Sequence, residues 1–392
     1  MSSEEGPDAS GRSVDLIVYC AGTTWSGQRG SDQHVADRLR RYRPVLYVDP
    51  PVSLLSPLRD RHASSALEGP RLREVADGLW RLSVVVPPGR TKPVVRDVAA
   101  ALRRRAMRRA VRTLRMRPAV VVAATMSPAL DTFPTSRKVL YLTDDFAAGA
   151  TLLGLERTAV ERAQRRALNE ADTLVVVSES LAATWRATGA EPIVIENGVD
   201  IDHYAAATEL DRPDELRLRG PIAGFVGNIS DRIDVRLLEA IANRGISLLL
   251  VGPRSPMADE ARLVALLERP NVQWVDHQPF DTMPTWVGAM HVGLVPYKVD
   301  DFNLASSPLK VLEYLAAGIE AVSTPLPSIV ELGPTVRLAE TPEDFAQAVV
   351  DALERPRTQP LVEARYRVAA DRSWDVVTER FATAIGVAGQ LR

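Results

Sequence analysis

Short apolar segments alternate with amphipathic, helix-length segments along most of the chain. Strands that are apolar on both faces are typical of a parallel sheet covered by helices on both sides. The predicted strands of the first half are residues 14–20, 45–48, 79–86, 119–123, 138–142, 173–177 and 193–195. Those of the second half are residues 222–226, 246–251, 272–275, 292–295 and 321–323. The sequence therefore predicts an α/β protein with two doubly wound, Rossmann-like halves.

The two series of strands are separated by a stretch without clear periodicity. Residues 206–220 are charged and poorly periodic, which favours a linker between two domains. A chain of 392 residues is also too long for one typical hydrophobic core. We predict a disordered tail at residues 1–13, a first domain at 14–205, the linker at 206–220, a second domain at 221–373 and a C-terminal helical segment at 374–392.

Composition and cysteine usage indicate the cellular compartment in which the protein acts. The chain is 46% hydrophobic and 25% charged, as expected of a globular protein. Cys20 is the single cysteine, so no intramolecular disulfide can form, and a reducing cytoplasm is expected. The first thirteen residues are unlike a signal peptide, and no apolar run is long enough to cross a membrane. We therefore predict a cytoplasmic protein.

A basic helix is predicted at residues 94–117, where nine arginines stand against one aspartate. The first half is also the more basic: residues 1–205 hold 29 Lys and Arg against 24 Asp and Glu, and residues 206–392 hold 19 against 26. One interpretation is a surface helix with a solvated basic face. The other is a peripheral contact with the anionic inner face of the membrane, without deep insertion because small alanines dominate the apolar stripe. We expect no nucleic-acid partner.

Three segments follow predicted strands directly and are candidates for ligand contact, because ligands of doubly wound sheets bind beyond the carboxyl ends of the strands. They are residues 21–30, 143–145 and 196–200, with the candidate residues Gly22, Thr23, Thr24, Trp25, Arg29, Asp144, Asp145, Asn197 and Gly198. Structural roles compete: the aspartates suit helix capping, Asn197 and Gly198 suit a tight turn with positive φ, and Trp25 suits packing. Adjacent residues of an extended segment point in opposite directions, so at most one of Asp144 and Asp145 is expected to face a cleft.

Residues 302–325 combine a polar run, a helix and a buried strand. The helix is predicted to begin at Pro308 and to end at Gly318, an arrangement typical of helix ends. Lys310 and Glu313 are three residues apart and therefore share one helix face. A cation, a carboxylate and the free N–H groups of a helix N-terminus beside a strand end could hold a phosphorylated ribose. The alternative is an ordinary amphipathic helix with a surface ion pair.

Six sequence motifs in this order resemble the GT-B glycosyltransferases, most closely the retaining, family-four type. The motifs are LTDDF at 142–146, VVSESL at 176–181, ENGVD at 196–200, FVGNISDRIDVRLL at 225–238, LLVGP at 249–253 and SPLKVLEYLAAG at 307–318. The segment TTWSGQRGSDQHVADRLR at 23–40 is similar to a bacterial subgroup of cell-envelope enzymes. The resemblance implies two Rossmann-like domains facing a cleft, with the C-terminal helix crossing back to the first domain. It implies that the nucleotide sugar binds mainly to the second domain and the acceptor mainly to the first. The loop at residues 21–30 would then contact the acceptor or the diphosphate. The resemblance also implies transfer of a sugar from a nucleoside diphosphate sugar to an acceptor hydroxyl, with retention and without a metal or other cofactor.

The resemblance assigns roles to individual residues. Glu313 matches the second glutamate of the family's E-x7-E motif, which takes the ribose hydroxyls. Ala305 replaces the first glutamate, which contacts the donor sugar in the family, and Asn228 and Asp234 occupy the places of the family's diphosphate-binding cations. The predicted donor-binding residues are Gly227, Asn228, Gly252, Pro253, Asn303, Ser306, Ser307, Pro308, Leu309, Lys310 and Glu313. The predicted catalytic residues are Asp144, Asp145, Arg232 and Lys310, of which the two cations would neutralise the leaving diphosphate.

Two other functions fit the same residues. A UDP-sugar 2-epimerase of the same fold would bind the same nucleotide but would need no acceptor. A degenerate binding or scaffold protein is the other alternative, since two features of the family's donor site have changed.

Overall fold

A computed structural model describes residues 14–53, 70–89, 93–125, 129–152, 154–255 and 257–389. The predicted disordered tail, residues 1–13, lies outside these ranges. The described residues form one large sheet in each half of the chain and a small third sheet in the first half.

The first domain is built on an eight-stranded sheet. Its strands are β1 (Asp15–Cys20), β2 (Val45–Val48), β4 (Leu72–Ala76), β5 (Leu79–Leu82), β7 (Arg117–Ala123), β8 (Arg137–Leu142), β9 (Thr173–Val176) and β10 (Ile193–Val194), and β3 (Val52–Ser53) pairs separately with β6 (Val85–Val86). The spatial order is β10-β9-β8-β7-β1-β2-β5-β4, with only the β4–β5 pair antiparallel. The helices are α1 (Ser31–Leu39), α2 (Pro93–Leu114), α3 (Arg157–Glu170) and α4 (Glu179–Arg186), and α5 (Ile201–Tyr204) follows where the chain crosses to the second domain.

The second domain is built on a six-stranded parallel sheet in the order β13-β12-β11-β14-β15-β16. Its strands are β11 (Ile222–Val226), β12 (Ser247–Val251), β13 (Val272–Val275), β14 (Val292–Val295), β15 (Glu320–Ser323) and β16 (Val336–Leu338). Its helices are α6 (Val235–Asn243), α7 (Glu260–Leu267), α8 (Met283–Gly288), α9 (Asp301–Leu304), α10 (Leu309–Ala316), α11 (Pro327–Val330), α12 (Pro342–Glu354) and α13 (Gln359–Ala370), and α14 (Trp374–Ala384) follows. The predicted α/β class with two Rossmann-like domains is confirmed.

The packing on both faces of strand β1 explains why its sequence is apolar without alternation. Ile17 and Tyr19 pack in a core with α1 and α14, and Leu16, Val18 and Cys20 pack on the opposite face in a core with α2. Both faces are therefore removed from water, which is the arrangement that a continuous apolar run predicts.

The chain crosses to the second domain before the predicted boundary at residue 205. Val199 and Tyr204 already pack in the core of the second domain. The chain returns at Trp374, whose N–H donates to the carbonyl of Val199 at 3.0 Å, while the N–H of Val199 donates to Arg372 at 3.0 Å. The two crossing segments therefore lie side by side.

Helix α14 packs back on the first domain, as the resemblance implies. The Trp374 ring stacks on His34 of α1 at 5.1 Å, and Phe381 meets Tyr141 edge-to-face at 5.0 Å. Burial, together with the charges of Arg29 and Arg38, lowers the pKa of His34 to about 2, so its imidazole is neutral. A neutral ring can stay buried between the helices without an acidic partner.

The basic helix α2 is only partly the solvated surface that its composition predicts. Most of its arginines are exposed, but Arg103 is buried because it lies on the same face as Ala99, Met107 and Ala110. None of the helices in the described ranges combines the length and the apolarity that crossing a bilayer requires.

Candidate active site

Side chains beyond the carboxyl ends of strands from both sheets line a cleft between the domains. Two adjoining cavities of about 280 and 370 Å³ fill the cleft, and Gln28, Arg29, Gly227 and Lys310 line both. The first cavity is also lined by Tyr204, Gly252, Pro253, His277, Phe280 and Glu313. The second is also lined by Thr23, Asp144, Asn197, Asn228, Arg232, Ser306, Ser307, Pro308 and Leu309.

Lys310 and Glu313 project from the first turns of α10 into the cleft. Val311, Leu312, Tyr314 and Leu315 are buried, so the apolar side of the helix is fixed against the second domain. The Lys310 Nζ atom lies 3.1 Å from each carboxylate oxygen of Glu313. Glu313 retains 10% of its side-chain exposure and lines the first cavity, so it lies neither in a closed core nor on the outer surface. The prediction that the two residues share a face is confirmed.

Two glycines form the floor of the first cavity. Gly227 and Gly252 have φ values of 146° and 138°. A Cβ atom on Gly252 would lie 2.0 Å from the carbonyl oxygen of Gly227. The loops after β11 and β12 approach this closely only because Gly252 lacks a side chain.

Arg232 is held by neutral groups at the edge of the second cavity. Its guanidinium lies 4.8 Å from the Tyr297 ring and 4.9 Å from the Phe302 ring. Its Nε donates to Asn303 Oδ1 at 2.9 Å. No carboxylate of the described residues lies within ion-pair distance of it, so its charge is available to a ligand.

Asn303 is not the sugar-binding residue that the sequence predicts. It is fully buried, and its Nδ2 donates to the carbonyls of Lys298 at 3.0 Å and Arg232 at 3.3 Å. An amide whose oxygen and nitrogen are both engaged in the interior cannot contact a sugar hydroxyl. Its role is to orient Arg232.

The predicted serines lie at the cleft, but protein partners engage them. Ser306 Oγ donates to the carbonyl of Asn303 at 2.7 Å, and Ser307 Oγ accepts from the N–H of Asn197 at 3.2 Å. Ala305, at the place of the first motif glutamate, is buried, and its carbonyl accepts from Ser178 Oγ at 2.6 Å. The segment that would carry a sugar-binding glutamate is therefore docked on the first domain.

The neighbouring aspartates have different roles, and of the two only Asp144 lines a cavity of the cleft, in agreement with the prediction that at most one faces it. Asp145 Oδ1 accepts from the N–H groups of Ala147 and Ala148, both at 3.0 Å, which is a capping role. Asp144 lines the second cavity, where burial raises its pKa to about 6 against the opposing charge of Arg232. Asp144 is the candidate for chemistry, and Asp145 is structural.

The loop after β1 is held in shape by Asp32, which the sequence analysis missed. The carboxylate accepts from the N–H groups of Gly22 at 2.8 Å and Thr23 at 3.1 Å, and from Tyr19 Oη at 3.0 Å. A sequence signal could have identified Asp32. It is a carboxylate in the first turn of a helix that directly follows a strand-end loop.

Only part of the predicted acceptor loop reaches the cleft. Thr23 and Arg29 line it. Trp25 instead packs edge-to-face on Tyr47 at 5.1 Å, and its N–H donates to the buried Asp49 at 2.9 Å. The Thr24 carbonyl accepts from Gln33 Nε2 at 2.9 Å, so Thr24 also helps to hold the loop in shape.

Asn197 lies at the floor of the cleft but not in the predicted tight turn. Its Nδ2 donates to the carbonyl of Ser307 at 2.8 Å, and its Oδ1 accepts from Ser31 Oγ at 2.7 Å. Gly198 does not have a positive φ. It is glycine because a Cβ atom would lie 2.8 Å from the Arg372 carbonyl and 3.1 Å from the Trp374 ring. The turn prediction is wrong, and close approach is the physical reason for this glycine.

Asn228 and Asp234, which occupy the places of the family's diphosphate-binding cations, lie in different surroundings. Asn228 lines the second cavity and accepts from Ser255 Oγ at 3.0 Å. Asp234 caps helix α6 by accepting from the N–H of Arg236 at 3.0 Å. Arg232 and Lys310 are therefore the cations that the second domain brings to the cleft.

The sequence analysis missed the cleft residues Tyr204, His277 and Phe280. The segment with His277 and Phe280 follows β13, so the rule of strand carboxyl ends would have found it. The guanidinium of Arg29, in the first domain, lies 5.3 Å from the Phe280 ring of the second domain. Residues of both domains therefore line the first cavity.

The two domains and the helix N-terminus in the cleft define the GT-B fold, and comparison with known proteins agrees. Residues 220–355 match the family model described as "Glycosyl transferases group 1". The putative teichuronic acid biosynthesis glycosyltransferase TuaH of Bacillus subtilis is 28% identical over 244 residues, which cover 59% of this chain and 61% of that protein. The predicted resemblance to glycosyltransferases is confirmed.

Solved structures match nearly the whole chain. Sucrose-phosphate synthase from Thermosynechococcus elongatus aligns with a TM-score of 0.71 and 15% identity, covering 94% of this chain and 98% of that chain. Anabaena HepE in complex with UDP and glucose aligns with a TM-score of 0.65 and 14% identity, covering 96% and 100%. These likenesses establish the fold.

Replacing Asn303 with alanine is expected to destabilise the protein. The change leaves the Arg232 Nε and the Lys298 carbonyl without their partner, which should lower the free energy of unfolding by about 1–3 kcal/mol. The Arg232 carbonyl keeps the N–H of Lys298 as a donor. Urea denaturation followed by circular dichroism measures the effect. Asn228→Ala, at an exposed position, is the control and should stay within about 0.5 kcal/mol. Equal stability of both variants would contradict the assigned role.

Proposed function

We propose that this protein is a glycosyltransferase that moves a sugar from a nucleoside diphosphate sugar to an acceptor hydroxyl. The observation that carries the proposal is the Lys310–Glu313 pair at the N-terminus of α10, which faces the cleft beside Gly227. The pair lies inside the segment that matches the group 1 glycosyltransferases. HepE, which has the same fold, is described in complex with UDP and glucose.

The nucleoside is assigned to the first cavity. The Glu313 carboxylate is an acceptor-only group with two oxygens, so it suits the two vicinal hydroxyls of a ribose. Pro253 and the loop with His277 and Phe280 provide the remaining walls for a base. A cavity of about 280 Å³ is at the lower end of the range for small-ligand sites.

The diphosphate is assigned to the junction of the two cavities. Lys310 lines both cavities, and Arg232 lines the second. The free N–H groups at the start of α10, near Leu309, add partial positive charge. Cations held in place before the reaction stabilise the charge that develops on a leaving diphosphate.

The acceptor is assigned to the side of the first domain, near Thr23 and Asp144. We propose retention, in which the departing diphosphate helps to deprotonate the acceptor hydroxyl, as the resemblance implies. The Asp144 carboxylate would orient that hydroxyl or accept its proton, because it lines the second cavity together with Arg232. Asp32 also lines this cavity, but Tyr19 and the N–H groups of Gly22 and Thr23 engage its carboxylate.

We propose that the reaction needs no metal ion, because Lys310 and Arg232 can supply the charge on the diphosphate. Addition of excess EDTA is therefore expected to leave the transfer rate within about twofold of its untreated value, since no metal–phosphate contact is lost. Loss of activity that Mg²⁺ or Mn²⁺ restores would show that the cations are insufficient.

Replacing Glu313 with alanine should weaken donor binding. Loss of a charged acceptor of two hydroxyls is expected to raise the donor KM by about tenfold or more. Steady-state kinetics with a panel of UDP-, GDP- and ADP-sugars measures this, with Glu354→Ala, an exposed glutamate of α12, as the control.

The same assay separates the alternative functions. Inversion at C2 of the sugar without any glycoside would favour the epimerase. Failure of UDP, GDP and ADP to bind in calorimetry, with no effect of Glu313→Ala, would favour a scaffold protein.

The pH dependence of transfer should report Asp144. Its pKa is raised to about 6, so the carboxylate is mostly protonated at pH 5 and ionised at pH 7. If the ionised form is required, kcat/KM should rise across this interval with an apparent pKa near 6. Asp144→Asn should lower kcat and flatten the profile, whereas Asp145→Asn keeps an acceptor for the Ala147 and Ala148 N–H groups and should change neither. A wild-type profile unchanged in Asp144→Asn would refute this role.

We also propose that the protein acts in the cytoplasm and binds the inner face of the membrane peripherally through residues 94–117. The exposed arginines of α2 stand beside the exposed apolar residues Val98 and Leu102, at 45% and 39% exposure. This combination suits an anionic lipid surface without deep insertion.

Binding to vesicles is expected to be electrostatic. The protein should sediment with phosphatidylglycerol-containing vesicles at low salt, and the bound fraction should fall severalfold between about 0.05 and 0.5 M NaCl because the Debye length shortens. Neutral phosphatidylcholine vesicles are the control. Equal binding to both would exclude an electrostatic contact, and absence of binding would leave α2 a solvated surface helix.

A further inference from the structure

A second basic cavity lies on the first domain, between helices α2 and α3. We call it the arginine groove. It has a volume of about 200 Å³ and is lined by Arg96, Arg162, Arg166, Thr125 and Glu170. Small apolar residues form the remaining walls, chiefly alanines and Leu130. The groove is thus lined by three guanidinium groups and one carboxylate.

The arginines of the groove are not used by the fold. The ion pairs recorded on α3 join Arg157 and Arg165 to Glu161 and leave Arg162 and Arg166 without an acid at ion-pair distance among the described residues. Arg162 engages only its Nε, which donates to the Thr158 carbonyl at 3.1 Å. The contact of Arg96 with Asp97 is long, at 3.8 Å, and both side chains are over 60% exposed. Such a pair contributes little, so the positive charge is available to an anion.

A buried arginine beneath the groove adds a second, independent observation. Arg103 lies seven residues after Arg96, on the same face of α2, and is 1% exposed. None of its three guanidinium nitrogens has a nitrogen or oxygen atom as a hydrogen-bond partner among the described residues. Burial raises the pKa of the neighbouring Cys20 thiol, and the charge of Arg103 and its hydrogen bond with the thiol partly offset this increase. Cys20 pairs in register with Ala123, which lines the groove, and paired strands lie about 5 Å apart. The groove therefore has a buried guanidinium group close to its floor, and no acid among the described residues lies at ion-pair distance from it.

The groove opens at the same edge of the sheet as the proposed acceptor site. Ala123 ends β7 and Thr125 follows it, while Asp144 follows the neighbouring strand β8. The groove and Asp144 therefore lie beyond the carboxyl ends of two neighbouring strands. The volume of about 200 Å³ suits a single phosphate with a few apolar atoms.

We propose that the arginine groove binds the phosphate group of a phosphate-ester acceptor. That the bound molecule is the acceptor rests on the proposed function. That the groove binds phosphate rests on its geometry alone. Arginines recognise phosphate through paired, charge-assisted hydrogen bonds, and the alanine walls accommodate the apolar atoms next to the ester.

Calorimetry with two probes tests the site directly: dodecyl phosphate below its critical micelle concentration, and inorganic phosphate. The double variant Arg162→Ala with Arg166→Ala should weaken binding of both probes by about tenfold or more, because charge-assisted hydrogen bonds are lost. Arg157→Ala with Arg165→Ala removes the same charge from the same helix outside the groove and should stay within about twofold. Arg162→Lys with Arg166→Lys should retain part of the affinity, since Lys keeps the charge but not the paired geometry.

The comparison of probes identifies the source of the phosphate. Tighter binding of dodecyl phosphate supports a lipid-linked ester, and equal binding supports a soluble one. Equal loss in the groove variant and in its charge-matched control, or no loss in either, would overturn the site. UDP binding, measured by thermal shift, should be unchanged in the groove variant. If no nucleotide binds to any of the proteins while phosphate binding follows the predictions, the proposed function fails and the phosphate site stands.

Discussion

The cleft keeps its shape because buried hydrogen bonds join the two domains at its floor. Asn197 accepts from Ser31 of the first domain and donates to the Ser307 carbonyl of the second. Ser178 Oγ donates to the Ala305 carbonyl two residues earlier. These groups are buried, so separating them without solvation would cost about 1–3 kcal/mol for each unpaired group. Helix α10 begins directly after Ser307, and the position of Lys310 and Glu313 therefore depends on these contacts.

The two cleft cations are held in different ways, and the difference has a chemical consequence. Lys310 is paired with Glu313, so part of its charge is neutralised until a ligand engages the carboxylate. Arg232 is held by two aromatic rings and by the neutral Asn303. Two buried arginines elsewhere are instead neutralised by acids: Arg81 lies 2.6 Å from Asp49, and Arg365 pairs with Glu320. Anchoring by neutral groups preserves a full positive charge where an anion is expected to develop.

Several sequence-based assignments were wrong for the same reason. Trp25, Asn303 and Gly198 lie in polar or glycine-containing segments that follow strands or precede helices, where contact with ligands is expected. In the structure they contact protein: Trp25 packs on Tyr47, Asn303 anchors Arg232, and Gly198 makes room for Trp374. A polar residue at a strand end can face either the ligand or the loop that carries it. Periodicity does not separate these outcomes, because both place the residue at the same position along the chain.

Elements with a strong period were predictable from the sequence, and weakly patterned ones were not. Most strands of the two parallel sheets were predicted to within a few residues because they are buried on both faces. Helix α13 was missed because its buried side includes Arg365, whose charge is compensated only by Glu320 on β15. Strand β4 was missed because, as an antiparallel edge, it buries little. Helix-face spacing alone determined the pairing of Lys310 with Glu313. Only the tertiary structure decided that Asp144 rather than Asp145 lines the cleft, that Asp32 shapes the first loop and that Arg103 lies beneath a basic groove. Each of these outcomes depends on which distant segment packs against the residue, and a linear pattern contains no such distances.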